Sequence, residues 1–264
     1  GQWLGATNAN WNTGTNWCGG EPSSTVDVLI PSGTPFPLII NAPSAIVRNL
    51  TINSGASLIL TNNIPLNLYG NFANGGTFTD NGGTLSFLGS TSQGVTNMAI
   101  AKNVTVNNAA GVILNSNITV SGLLTLTSGA LNSSGKLTVN LTTGNIDKTG
   151  TGSITGNITL VRNASELGAG WHYLGSPLFG TTFNDLNDNV ILTTSNFNSY
   201  HEGDGNSNIG YRWKGLLSAP LNLPLTTPMA GPIFTGAPSS LMAGYALKFP
   251  SATAIDIKGS YTHG

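Results

Sequence analysis

Through the first two thirds of the chain, apolar positions alternate with Asn and Thr in short bursts that share one wording. Asn-apolar-Thr-apolar stands at Asn49-Leu50-Thr51-Ile52, Asn103-Val104-Thr105-Val106, Asn117-Ile118-Thr119-Val120 and Asn157-Ile158-Thr159-Leu160. Lys136-Leu137-Thr138-Val139 and Leu123-Leu124-Thr125-Leu126 are close variants. A period of two carried by β-branched residues predicts strands with one apolar and one polar side. Between the bursts lie Asn53-Ser54-Gly55, Asn74-Gly75-Gly76, Asn81-Gly82-Gly83, Ser128-Gly129 and Ser133-Ser134-Gly135, residues that tolerate the left-handed backbone of sharp corners. No stretch repeats its apolar positions at helical spacing, so residues 25–165 are expected to be all-β.

A longer phrase decides between architectures. Residues 49–64 align without gaps onto residues 103–118 with eight of 16 positions identical, at an offset of 54. Self-similarity at a fixed offset is the mark of stacked coils, here a parallel β-helix (β-solenoid) over residues 31–165. With coils of roughly 18–27 residues the offset spans two or three of them. Stacking further predicts that Asn49 and Asn103 share one row, where Asn side chains ladder well.

The two flanks read differently. Residues 1–30 hold Trp3, Trp11 and Trp17 among Asn and Gly, and are expected to cap the open end of the coils. A sugar-stacking platform is the alternative use of those three rings. In residues 166–264 charges become denser and aromatic strands return, at Trp171-His172-Tyr173-Leu174, Phe197–Tyr200, Tyr211-Arg212-Trp213 and Gly244–Pro250. A β-sandwich or jelly-roll-like module is expected there. Pro220, Pro224, Pro228 and Pro232 recur at four-residue spacing, off the three-residue turn of polyproline, and read as a rigid loop.

Composition narrows the function classes. Only 7 % of the 264 residues are charged and the formal net charge is −1, against about 25 % charged in an average domain. Too few cations are present to neutralise a run of phosphates, which argues against nucleic-acid binding. No apolar run approaches the length of a membrane-spanning helix. The single cysteine, Cys18, allows no intrachain disulfide and, followed by two glycines with no His nearby, reads as a buried structural thiol. The opening at Gly1 without a signal segment reads as a processed chain or as a piece cut from a longer polypeptide.

Hydrolases and lyases built on β-helices need paired carboxylates, or a bound metal beside a base. Between Asn49 and Ile146 the one acid is Asp80 and the bases are Lys102 and Lys136, so the coils are expected to be non-catalytic. The second module holds the remaining candidates. Glu202, Asp204, Asn206 and Asn208 place oxygens at alternate positions, as a calcium loop does, although Gly210 falls one place late for an EF-hand. Calcium is accordingly the one candidate cofactor. Trp171, Tyr173, Tyr211 and Trp213 are the candidate glycan-stacking residues, with core aromatics as the competing reading. Ser176 lacks the flanking glycine of a nucleophile elbow, and His172 and His201 have no partner at metal-ligand spacing. The Asn-x-Thr triplets follow from the strand grammar and are read as coincidental sequons.

Taken together, Trp3-Leu4-Gly5, Trp11, Asn16-Trp17, Gly20, Pro22, Asp27-Val28 and Ile30, followed by the Asn/Gly/Thr-rich coils, resemble the secreted surface proteins of bacteroidete bacteria. The segments around Trp171, Phe197 and Gly244 resemble the β-module that follows such coils. The resemblance implies export by the type IX route to the cell surface or an extracellular filament. It implies as partners the secretion machinery in transit, other copies or segments of the same polypeptide, and cell-surface glycans. The expected function is a non-catalytic structural or adhesive segment. A carbohydrate-binding module is the alternative, and ice binding through outward Thr rows a more distant one.

Overall fold

The computed structural model of the protein describes residues 1–41, 44–61, 63–163, 168–174, 178–179, 197–201, 212–215, 245–249, 251 and 254–261. It falls into two compact units, Gly1–Ile158 and Thr159–Thr262. Among the described residues there is no α-helix, and one 3-10 turn, Gly14–Asn16, interrupts the strands.

The first unit is a parallel β-solenoid of about seven turns. Each turn passes through three faces. The first face stacks Val28–Ile30, Leu50–Ile52, Phe72–Asn74, Gln93–Thr96, Val112–Leu114, Ala130–Asn132 and Ser153–Thr155. On the second lie Leu38–Ile40, Ser57–Leu60 and Thr77–Asp80, then Ile100–Ala101, Ile118–Val120 and Leu137–Asn140. The third holds Ala45–Val47, Pro65–Leu68, Thr84–Phe87, Asn103–Asn107, Leu123–Ser128 and Asn145–Asp147. Register partners run Val28↔Leu50↔Phe72 and Val95↔Leu114 on the first face, then Val112↔Leu131↔Ile154. Turn length is not constant: the step from Val112 to Leu131 is shorter than the step from Leu131 to Ile154.

Alternation turns each burst into an inward row. On the third face Ala45, Leu66, Leu85, Val104 and Leu124 stack in register, as do Val47, Leu68, Phe87, Val106 and Leu126, and all ten are buried. Each buried Leu or Phe contributes about 1.5–3 kcal/mol relative to exposure. Between them, half-buried Asn67, Thr105 and Thr125 point outward, which lets so weakly charged a rod face water.

The stacking of coils is as expected, but the assignment of Asn49 and Asn103 to one row is not. Asn49 leads into the first face and Asn103 opens a strand of the third. From Leu50 the chain makes two turns to Val95, then crosses the second face before reaching Val104. The offset between the two copies therefore covers two turns and a further step of two faces. The same wording serves all three faces, because Ile118–Val120 lies on the second. The phrase encodes a corner plus a strand, whatever face that strand occupies.

The amino-terminal residues close the first turn. Gln2–Trp3 pairs parallel to Leu29 and antiparallel to Trp17–Cys18, while residues 9–11 run beside Ile39 (Ile39 N–H to Ala9 O 2.7 Å, Trp11 N–H to Ile39 O 3.0 Å). Trp17 packs edge-to-face on both Trp3 and Trp11, with ring centroids 5.0 and 4.8 Å apart. All three rings are buried, with Trp3 Nε1 donating to Phe36 O at 3.0 Å and Trp17 Nε1 to Trp11 O at 2.7 Å. Buried rings offer no stacking platform to a sugar. Cys18 does not match the expectation of a buried thiol: it is exposed, because it follows inward-facing Trp17 on the outermost strand.

In the second unit, strands Gly170–Leu174, Tyr245–Phe249, Phe197–His201 and Arg212–Gly215 form an antiparallel four-stranded sheet in that spatial order. Leu178–Phe179 pairs antiparallel with Ile255–Tyr261.

Candidate functional site

At several solenoid corners a polar side chain holds one coil to the next. At the corner before the first face, the Asp27 carboxylate accepts from Asn49 Nδ2 at 2.7 Å and from Arg48 Nε and Nη2 at 2.6 and 2.7 Å. Asn49 Oδ1 accepts from Asn71 N–H, and Asn71 Oδ1 from Gly94 N–H, each at 2.7 Å. Asn103, at a corner of the third face, does the same: its Oδ1 accepts from Leu123 N–H at 2.9 Å and its Nδ2 donates to Gly83 O at 3.0 Å.

Both clasps rest on a glycine one turn later. A Cβ on Gly70 would collide with Asn49 Oδ1, and one on Gly122 would fall 2.5 Å from Asn103 Oδ1. What the repeated phrase reproduces in space is thus an Asn carbonyl closing over a Gly to satisfy the next backbone donor, which a bend would otherwise leave unpaired.

Asp80, the one acid between Asn49 and Ile146, is equally committed. Pairing on the second face lapses after Thr77–Asp80, which ends one three-stranded sheet, before Ile100–Ala101 resumes the face. Asp80 spans the lapse: Oδ2 accepts from Lys102 N–H at 2.6 Å, and Oδ1 from Gly82 and Gly83 N–H at 3.0 and 2.8 Å. Lys102 Nζ donates to Ser121 O at 3.3 Å. Isolation singles Asp80 out in the sequence, but nothing along the chain signals its structural task.

Buried polar groups follow the same rule. Gln93 Oε1 accepts from Gly89 N–H and Asn108 Nδ2, each at 2.9 Å, and Gln93 Nε2 donates to Leu68 O at 3.0 Å. Asn16 in the cap accepts from Thr7 N–H at 2.8 Å and donates to Asn10 O at 3.1 Å. Among the described residues no buried side-chain donor or acceptor lacks a partner, and no three His, Cys, Asp or Glu converge. The fold lowers the pKa of Asp27. Hydrogen bonding from Arg48, helped by Asn49 and opposed by partial desolvation, lowers it to about 2.

The candidate residues of the second unit divide in two. Glu202, Asp204, Asn206, Asn208 and Tyr211 lie outside the described residues. Trp171 and Tyr173 lie on Gly170–Leu174, at one edge of the four-stranded sheet, and Trp213 lies on Arg212–Gly215, at the other edge. Register gives Trp171↔Lys248, Tyr173↔Ala246↔Asn198 and Tyr200↔Trp213. Directly paired residues share a face, so these positions belong to one side of the sheet. Trp171 is 47 % exposed and Lys248 is exposed, whereas Phe249, one residue on, is buried. The opposite side carries His172, whose Nε2 donates to Gly168 O at 2.7 Å and whose ring lies 5.1 Å from that of Phe249. Tyr200 is a further aromatic position on this same side as Trp213, and the sequence motifs do not single it out. Its strand alternation with Asn198 is the available signal.

Comparison with known proteins places one boundary on these observations. A family model described as a domain of unknown function (DUF8693) matches residues 2–86, which comprise the Trp-rich cap and the first turns of the solenoid. No curated protein and no solved structure matches the chain.

Proposed function

We propose that this chain is a non-catalytic, structural or adhesive segment of a large bacterial surface or extracellular filament protein, in which the solenoid is a rigid spacer. The observation that carries this reading is the commitment of Asp80 and of the Asn side chains at three corners to backbone donors of the coils. Asp80 accepts three backbone N–H groups, and Asn49, Asn71 and Asn103 each close a corner. Groups so engaged build a rod and are poorly placed to move protons. The resemblance of the opening Trp/Gly/Pro block to bacteroidete surface proteins supports an extracellular location, type IX export, and other segments of the same polypeptide as neighbours.

A second reading, recognition of cell-surface glycans by the second unit, is favoured by one observation: Trp171 is 47 % exposed on the sheet side that holds the Tyr173, Tyr200 and Trp213 positions. Aromatic faces stack on the apolar faces of sugars. The calcium loop at Glu202, Asp204, Asn206 and Asn208 is kept as a proposal, tested by calcium titration of the whole chain.

One pair of measurements tests the readings. Limited proteolysis of the native chain should leave residues 49–158 as a resistant fragment, and rapid cleavage throughout that range would refute the rigid spacer. A glycan array should give binding that Trp171→Ala abolishes if the second reading holds, and signal at background would refute it.

A further inference from the structure

We propose that Asn81-Gly82 is a site of spontaneous deamidation, and that the fold protects the chain's other Asn-Gly pair, Asn74-Gly75. The two pairs lie either side of the strand Thr77–Asp80 and are each followed by a second glycine, so their local chemistry is nearly the same. Their environments are not. Asn74 is half-buried, its Oδ1 accepts from Gly76 N–H at 2.9 Å, and its Nδ2 donates to Asn97 O at 3.1 Å. Asn81 is exposed, and its side chain makes no hydrogen bond to any described residue. Both following amides are hydrogen-bonded, Gly75 N–H to Ile52 O at 2.6 Å and Gly82 N–H to Asp80 Oδ1 at 3.0 Å. The difference thus lies in the Asn side chain, which is clamped at 74 and free to turn at 81.

The reaction needs only water and hydroxide. The Gly82 backbone nitrogen, losing its proton to hydroxide, attacks Asn81 Cγ; the Cγ–Nδ2 bond breaks and ammonia leaves, giving a succinimide. Water then opens the ring at either carbonyl, yielding Asp or isoaspartate at position 81. No oxidation state changes. The consequence falls on Asp80. In the succinimide Gly82 nitrogen carries no hydrogen, so Asp80 Oδ1 loses one of the donors that steady the lapse in the second face. Isoaspartate lengthens the backbone by one methylene at the same corner, and both products set a new carboxylate beside Asp80. Ageing of the protein is thereby directed to the seam between Thr77–Asp80 and Ile100–Ala101.

The test is incubation of the native chain at mildly alkaline pH, followed by peptide mass spectrometry and isoaspartyl methyltransferase labelling. Asn81 should convert at least about tenfold faster than Asn74, because ring closure at 74 must first break side-chain hydrogen bonds. In concentrated urea the two rates should converge, and Asn81→Gln should remove the native signal. Equal native rates, or faster conversion at Asn74, would overturn the proposal. A native preference that persists unchanged in urea would also overturn it, since the selectivity would then belong to sequence and not to fold.

Discussion

At the scale of single residues, Asp27 shows how little charge this molecule uses and where. Its carboxylate holds Arg48 and Asn49 across one turn and titrates at about 2, below the ordinary 3.8. A carboxylate whose pKa is lowered on folding stabilises the fold above its unfolded pKa. That contribution fades as pH falls from about 4 toward about 2. Both partners of the ion pair are about half exposed, so solvent screening keeps the contribution small. The denaturation midpoint of Asp27→Asn should therefore lie slightly below that of the parent at neutral pH. The two curves should converge near the folded pKa, and a gap that widened on acidification would contradict the assignment. Asp80 and Cys18 carry the complementary lesson. Sequence marks both as singular, but whether a lone acid is a catalyst or a tie, and whether a lone thiol is buried, depends on neighbours that the chain supplies from elsewhere.

The working element is the corner with its strand. Asn49 and Asn103 perform one task on different faces, each with its carbonyl over a glycine of the next turn. Replacing either by Ala leaves a backbone donor without its partner and should cost about 1–2 kcal/mol in equilibrium unfolding, alike for the two sites. Asn117 opens the same wording but is exposed and makes no side-chain hydrogen bond to a described residue, so Asn117→Ala should fall within about 0.5 kcal/mol of the parent. Equal losses at all three sites would mean that the phrase, and not the clasp, is what stabilises. Strand content is readable because alternation is a local property: Leu66 stands between Pro65 and Asn67, Leu85 between Thr84 and Ser86, and Val104 between Asn103 and Thr105. Face assignment is not readable, because turns of unequal length add or omit corner residues without altering the strand phrase.

For the molecule as a whole, the first turn decides whether the rod ends cleanly. Residues 1–18 lay an antiparallel two-residue strand and a buried Trp trio against the edge that Val28–Ile30 and Leu38–Ile40 would otherwise present. Removing residues 1–18 should lower the unfolding midpoint and produce concentration-dependent association in sedimentation, as an uncovered strand edge pairs with another. A truncated chain that stayed monomeric and equally stable would show that the cap is dispensable. The sequence alone determined the strand grammar, the apolar rows, the corners, the stacked architecture and the absence of paired acids in the coils. These follow from period-two alternation, turn residues and composition, all properties of neighbours along the chain. Only the tertiary structure decided which face each phrase occupies, that Asp80 bridges a lapse in the second face, that Cys18 is exposed, and that the Trp171, Tyr173, Tyr200 and Trp213 positions share one side of a sheet. Each depends on registers between segments as far apart in the chain as Val95 and Leu114, or Trp171 and Lys248, which strand preference alone does not fix.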